Sequence, residues 1–195
     1  MKSLSWIFRI LLFAPFAWAI WRTLNGEVGA DPAKALNHRM GQIALYYLTL
    51  NLMIGVLIAY SFRFPKWLRF LTMNRRWLGV VTFFYLALHF LLYLTMESFE
   101  RQAYTQIVTK LYLTLGMAAF LVMALLAATS NNFSVRRLGH ARWKSLHKLV
   151  YPATLIVTIH VMLIEKADLV FYGILFTLLW IAELPRLWPR ARRAR

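Results

Sequence analysis

Apolar runs long enough to cross a lipid bilayer recur along this sequence, with charged segments between them. Crossing the roughly 30 Å hydrocarbon core takes about 20 residues of α-helix. Lipid offers the backbone no hydrogen-bond partners, so each run is predicted to be helical. We therefore predict an all-α membrane protein, a bundle of six transmembrane helices. The predicted helices cover residues 4–24, 41–61, 77–96, 111–129, 146–164 and 169–184.

The composition and the short gaps agree with a single membrane domain over residues 1–195. Hydrophobic residues make up 61% of the chain, whereas soluble domains are roughly half apolar. The first run follows Lys2 and imitates a signal peptide, but its apolar character continues through Trp21, so we predict a retained first helix. No glycine-rich dinucleotide motif and no P-loop is present, which argues against nicotinamide binding.

Basic residues alternate between the predicted loops, and this alternation predicts the orientation of the bundle. Lys and Arg fill the second loop, the fourth loop and the tail, whereas the third and fifth loops mix both signs. By the positive-inside rule, both termini and loops two and four are predicted to be cytoplasmic. The net charge of +16 is thus explained by membrane topology and anionic lipid, and nucleic acid is not expected as a partner.

The chain contains no cysteine, which limits how it could hold a redox cofactor. Disulfides, cysteine-bound iron–sulfur clusters and the covalent attachment of c-type haem are all excluded. Any haem is therefore expected to be held non-covalently, through histidine or methionine.

Three histidines fall within the predicted membrane helices, where an ionisable residue is a candidate functional site. His89 lies late in the third predicted helix and His160 lies late in the fifth. Both helices are predicted to run outward, so the two side chains should lie at similar depth in the outer half of the bilayer. Histidines on facing helices can ligate one iron from both sides, which predicts a six-coordinate b-type haem.

His147 is predicted to lie near the inner face, at the start of the fifth helix. On an ideal helix the thirteen residues to His160 rise about 20 Å and turn about 220°, so the two need not share a face. The position thirteen residues before His89 is Arg76, which is not expected to ligate iron. His147 could bind an inner haem alone or with another residue, or serve a flavin or quinone site.

Structural roles and a transport role remain alternatives. The intramembrane histidines could bond across helices, or could form the relay of a small transporter or proton channel. His38 and His140 fall in predicted loops, where surface positions are expected, with an outer-face role open for His38. Four glycines are predicted to let helices approach closely: Gly41, Gly55, Gly79 and Gly116.

Three stretches carry a resemblance to a known family. They are residues 29–41 (GADPAKALNHRMG), residues 75–79 (RRWLG) leading to His89, and residues 137–151 (RLGHARWKSLHKLVY) followed by His160. On these stretches the chain resembles the MsrQ family, the haem-binding membrane subunits of the periplasmic methionine sulfoxide reductase system. That family lies within the wider ferric reductase-like transmembrane group.

The resemblance implies that His89, His147 and His160 bind one or two b-type haems, with His147 the weakest assignment, and it allows FMN as a further cofactor. It implies electrons from the quinone pool or a cytosolic flavin reductase, and a bacterial inner-membrane location. The implied electron acceptor is MsrP, a periplasmic molybdopterin reductase that repairs methionine sulfoxide in envelope proteins. The chain would then be an electron-transfer subunit rather than a complete enzyme.

Overall fold

A computed structural model describes residues 2–60, 65–164 and 168–187 of the chain. Within those ranges all regular structure is helical. The elements are α1 (Lys2–Leu11), α2 (Ala14–Leu24), α3 (Pro32–Tyr60), α4 (Lys66–Met96), α5 (Arg101–Thr109), α6 (Leu111–Ala128), α7 (Asn132–Leu138), α8 (His140–Leu146), a 3-10 turn (His147–Leu149), α9 (Val150–Met162) and α10 (Leu169–Leu187).

Four helical stretches are long and apolar enough to cross a membrane, and a fifth is shorter. The long ones are Ser3–Leu24, Pro32–Tyr60, Lys66–Met96 and Leu111–Ala128, and the shorter one is Leu169–Leu184. Large apolar side chains such as Leu121, Ile174 and Leu178 are exposed on the outside of the bundle, where they would contact lipid. The prediction of a helical membrane bundle is confirmed.

Several predicted boundaries were wrong, because an apolar run marks the hydrocarbon core and not the ends of a helix. α3 begins at Pro32 rather than residue 41, with the side chain of Asp31 accepting the Lys34 amide at 3.0 Å. α4 begins at Lys66 rather than residue 77, directly after Pro65. His38 is consequently a residue of α3 and not of a loop.

The fifth predicted helix, residues 146–164, is divided in the structure. Its first residue ends α8, the 3-10 turn follows, and α9 begins only at Val150. Loop three contains α5, and loop four contains α7, whose first turn is capped by Asn131. The tail from residue 188 and the loop segments 61–64 and 165–167, which carry part of the predicted charge pattern, lie outside the described residues.

The first membrane stretch is broken between α1 and α2, and two tyrosines from other helices complete its hydrogen bonds. Pro15 has no amide hydrogen to continue the helical ladder. The Phe16 amide bonds the Phe13 carbonyl, so the Leu12 carbonyl is free to accept the hydroxyls of Tyr47 and Tyr85, at 2.9 and 2.8 Å. The Phe16 amide donates to the Tyr85 oxygen at 3.2 Å. These bonds attach the break to α3 and α4.

Two antiparallel helix pairs form the centre of the bundle. In the first pair the start of α3 lies beside the end of α4, where Asn37 bonds His89. In the second pair the start of α6 lies beside the end of α9, where the carbonyl of Tyr112 meets His160. Each of the two histidines therefore lies where one helix ends and its neighbour begins.

Aromatic rings connect the two pairs, and α10 completes the core. Phe83 and Phe90 of α4 lie 5.5 and 4.9 Å from Phe120 of α6, measured between ring centroids. α10 packs on α3 and α9. The buried core of this region comprises Leu45, Leu48, Leu52, Met123, Leu126, Ala153, Tyr172, Phe176 and Leu179.

Candidate functional site

The ring of His89 is held by the first turns of α3. Its Nδ1 lies 2.9 Å from the backbone carbonyl oxygen of Asn37. The side-chain amide of Asn37 donates to the backbone carbonyl of His89 at 2.7 Å. A Cβ placed on Gly41 would lie 3.0 Å from His89 Nδ1, so the ring lies directly against this glycine. A carbonyl only accepts, so this geometry assigns the ring proton to Nδ1 and leaves Nε2 with a free lone pair.

His160 is held in the same way by the start of α6. Its Nδ1 lies 2.6 Å from the carbonyl oxygen of Tyr112. A Cβ placed on Gly116 would lie 3.0 Å from Cε1 and 3.1 Å from Nδ1 of the His160 ring. The proton is again assigned to Nδ1, and Nε2 is again the unprotonated nitrogen.

The two sites share one arrangement on two different helices. In each, the carbonyl of one residue binds the imidazole Nδ1–H, and the glycine four residues later makes room for the ring. Four residues make one helical turn, so the carbonyl and the glycine lie on the same face. Within the described part of the chain, neither Nε2 has a hydrogen-bond partner. Metal-ligating histidines typically bond through the second ring nitrogen in this way.

The two histidines lie at the same end of the bundle and near each other. Phe90, the neighbour of His89, contacts Phe120 of α6, and the first turn of α6 holds His160 through the Tyr112 carbonyl. Their pairing as ligands of one haem stays a prediction.

This donor set fits a haem better than a bare metal ion. Among the described residues, no group of three or more His, Asp or Glu side chains could enclose an ion. Two imidazoles with free Nε2 atoms supply two ligands, which suits an iron whose other four ligands come from a porphyrin. Both rings are partly buried between helices, as non-covalent haem binding in a bundle requires.

His147 lies at the other end of α9 and differs from the pair. Its Nδ1 lies 3.1 Å from the Trp143 carbonyl, which assigns the ring proton to Nδ1. Its Nε2 lies 3.3 Å from Ser130 Oγ, whose own proton is donated to the Leu126 carbonyl at 2.7 Å. Its ring lies 4.0 Å from the Trp143 ring, and the Arg76 guanidinium lies 5.4 Å from that same ring. The geometry expected from an ideal helix does not apply, because His147 belongs to the 3-10 turn.

The other two histidines are outside this arrangement. His38 lies on an exposed part of α3. His140 begins α8, and its ring stacks on Trp143 with centroids 6.2 Å apart.

The sequence did not reveal the roles of Asn37 and Tyr112, because they act through backbone carbonyls that any residue could provide. It did single out Gly41 and Gly116 as places of close approach. In the structure each of these glycines accommodates a histidine ring rather than a second backbone. Gly79 has a different neighbour, since a Cβ there would lie 3.3 Å from the Asn51 amide nitrogen.

The sequence of this chain is similar to those of known proteins. The family model described as "Ferric reductase like transmembrane component" matches residues 40–158. A protein of Rhodospirillum rubrum named "Protein-methionine-sulfoxide reductase heme-binding subunit MsrQ" is 37% identical, covering 100% of this chain and 94% of that protein. Proteins of the same name from Caulobacter vibrioides and Brucella anthropi are 36% and 35% identical. They cover 93% and 96% of this chain, and 85% and 83% of their own lengths.

Proposed function

This chain belongs to the MsrQ family of ferric reductase-like transmembrane proteins, and on that premise we propose that it is a b-type cytochrome subunit. It would relay electrons across or within the membrane to a reductase on the outer side. The relatives' name assigns them to a protein-methionine-sulfoxide reductase as its haem-binding subunit. We therefore propose that the acceptor is the periplasmic molybdopterin reductase MsrP, and that this chain is an electron-transfer subunit rather than a complete enzyme.

One observation carries the proposal: the matched surroundings of His89 and His160. Each ring donates its Nδ1–H to a backbone carbonyl and lies against a glycine, and each leaves Nε2 unprotonated. These bonds fix the tautomer and the orientation of the ring before any cofactor arrives, and they make Nε2 a stronger donor. When bound between them, haem supplies a one-electron centre that alternates between ferric and ferrous iron.

We propose six membrane spans with both termini on the cytoplasmic side of a bacterial inner membrane. The four long apolar stretches and the shorter Leu169–Leu184 support five spans. The sixth would be α9 together with the 3-10 turn, which rise about 20 Å and about 6 Å respectively. The concentration of Lys and Arg in predicted loops two and four supports the orientation.

The ligand role that the resemblance implies for His147 stays a prediction. The bond from Nδ1 to the Trp143 carbonyl leaves Nε2 unprotonated, as in the other two histidines, and the Ser130 hydroxyl 3.3 Å away donates to the Leu126 carbonyl. FMN, which the resemblance also allowed, gains no support from the relatives' names, which mention haem alone.

The resemblance to the family implies two candidate electron donors, the quinone pool and a cytosolic flavin reductase. A soluble flavin reductase would have to deliver electrons at the inner face, where His147 lies. A quinol is dissolved in the membrane and could reach either half of the bundle.

Absorption spectroscopy of the purified chain tests the proposal. We expect a Soret band that shifts on dithionite reduction and is typical of six-coordinate b-type haem. His89→Ala and His160→Ala should each abolish the six-coordinate spectrum, since each removes one axial ligand. His38→Ala and His140→Ala are matched controls and should leave the spectrum unchanged.

Two results would contradict the proposal at different levels. A colourless preparation from haem-replete cells would exclude the cytochrome and favour the alternative of a small transporter or proton channel that uses the histidines as a relay. A six-coordinate spectrum that survives in both the His89 and the His160 variants would keep the cytochrome but refute this ligand pair.

A further inference from the structure

The chain between α6 and α9 carries a group of cations that have no anion beside them. This stretch, residues 131–148, contains α7 and α8, and we call it the basic segment. The sequence holds no Asp or Glu from residue 101 to residue 164. Its Lys and Arg side chains are exposed, and among the residues that the structure describes none of them belongs to an ion pair. They are Arg136, Arg137, Arg142, Lys144 and Lys148.

The basic segment is attached to the end of α6, a helix long and apolar enough to cross the membrane. The indole Nε1 of Trp143 donates to the Thr129 carbonyl at 2.9 Å. From α4, the Arg76 guanidinium donates to the Asn132 side chain at 2.6 Å and lies 5.4 Å from the Trp143 ring. α7 and α8 are each about 10 Å long, so both stay close to the end of α6. Their side chains therefore lie at the depth of the phospholipid headgroups.

One face of α7 combines an aromatic ring with two of the cations. At 100° per residue, Phe133, Arg136 and Arg137 fall within an arc of about 100°. The half-buried Val135 points roughly 150° away from them, towards the bundle. Phe133 is 61% exposed, and the Arg137 guanidinium lies 6.0 Å from the centre of its ring. The face is thus amphipathic, with an apolar ring beside two positive charges.

A phospholipid matches both halves of this face. Its phosphate can accept hydrogen bonds from the two guanidinium groups, and its acyl chain can cover the Phe133 ring. An acidic protein surface would supply the negative charge but not the acyl chain at this depth. A zwitterionic headgroup would bring an ammonium group among unpaired cations and be repelled, so the face favours a lipid with net negative charge.

From these observations we propose that the basic segment binds an anionic phospholipid, such as phosphatidylglycerol, through Arg136, Arg137 and Phe133. The bound lipid would hold α7 and α8 against the membrane, and with them Trp143, whose ring lies 4.0 Å from that of His147. This inference goes beyond the proposed function and does not depend on it, because lipid binding is measured without haem or electron transfer.

Native mass spectrometry of the full chain, released from detergent micelles, tests the inference by resolving each bound lipid. We expect dioleoylphosphatidylglycerol to bind about tenfold more tightly than dioleoylphosphatidylcholine. The double variant Arg136→Gln, Arg137→Gln should weaken phosphatidylglycerol binding by about tenfold or more, because each cation near an anionic headgroup contributes about a factor of five.

A matched control removes the same charge from the opposite end of the bundle. Lys34→Gln with Arg101→Gln alters two exposed cations at the starts of α3 and α5, and should change the affinity by less than about twofold. Phe133→Ser tests the apolar half of the site and should weaken binding by about threefold to tenfold. Its control is Phe99→Ser, at a ring that is 50% exposed between α4 and α5.

Four outcomes would overturn the inference. Equal affinity for the two lipids would mean that net charge is not recognised. Wild-type affinity in the Arg136, Arg137 double variant would leave the basic segment to a soluble acidic partner. An equal loss in the Lys34, Arg101 control would mean that only total charge matters. Displacement of the lipid by millimolar glycerophosphoglycerol, which has the headgroup without acyl chains, would make this a site for soluble phosphate esters.

Discussion

Replacing Gly116 with alanine would place a methyl group 3.0 Å from Cε1 and 3.1 Å from Nδ1 of His160. Ordinary van der Waals contact for a Cβ begins at 3.4 Å, so the ring must move by the difference between 3.4 and 3.0 Å. The ring cannot move away from α6 without lengthening its bond to the Tyr112 carbonyl, which is 2.6 Å in the wild type. We expect a longer and weaker hydrogen bond, still within bonding range.

The weaker bond should raise the reduction potential of the haem. A hydrogen bond at Nδ1 makes Nε2 a stronger donor, and a stronger donor stabilises ferric iron more than ferrous iron. Such a bond contributes about 0.5–1.5 kcal/mol, and partial loss would leave a difference of about 0.5–1 kcal/mol between the two oxidation states. At 59 mV per 1.4 kcal/mol for one electron, the potential should rise by about 20–40 mV.

Redox titration followed at the Soret band measures this shift. Gly173→Ala is the matched control, because a Cβ at Gly173 would meet nothing within 4 Å. Its potential should equal that of the wild type. A Gly116→Ala protein with an unchanged potential and an unchanged spectrum would refute the described placement of His160, because no ring in that position could avoid the methyl group.

Three further predictions concern other parts of the molecule. Tyr85→Phe should lower stability by about 1–3 kcal/mol, seen as a lower Tm in detergent, because the buried hydroxyl joins Leu12 and Phe16 across the break between α1 and α2. Tyr104→Phe, at a tyrosine that is 51% exposed, should leave the Tm unchanged. His147→Ala should lower the ratio of haem to protein in a pyridine haemochrome assay, because the bond from Nδ1 to the Trp143 carbonyl leaves Nε2 with the lone pair that the implied ligand role requires; an unchanged ratio would refute that role. Glu27→Gln should change stability by less than about 0.5 kcal/mol, because the Arg22–Glu27 pair is exposed and screened by solvent; a larger drop in Tm would show that the pair supports the α2–α3 connection.

The helical bundle could be predicted from the sequence because membrane insertion is a local property of each segment. The helix predicted at residues 111–129 matches α6 to within one residue. Lys110 and the polar residues after Ala128 mark the two ends of the apolar stretch. The starts of α3 and α4 could not be found by the same criterion. Both helices begin among polar and basic residues outside the hydrocarbon core. α3 starts directly after Asp31, and α4 starts directly after Pro65.

For the candidate site, the sequence supplies a pairing that stays a prediction. His89 and His160 were paired from their depth and the direction of their helices, which depend only on the order of the apolar runs. The partners of His147 could not be predicted, because a 3-10 turn and a preceding short helix determine where its ring points. The burial of Glu183 in α10 also follows from packing alone, since its sequence position only places it near the end of an apolar run.

The sequence by itself determined that this chain is a bundle of apolar helices with histidines inside it, because the free energy of transferring a segment into lipid depends on that segment alone. The tertiary structure decided how those histidines are held. Whether the Asn37 carbonyl meets His89, and the Tyr112 carbonyl meets His160, depends on the register and distance between two helices. That register is set by packing over the whole length of each pair, and no spacing within one helix specifies it. Gly41 and Gly116 leave room for the two histidine rings.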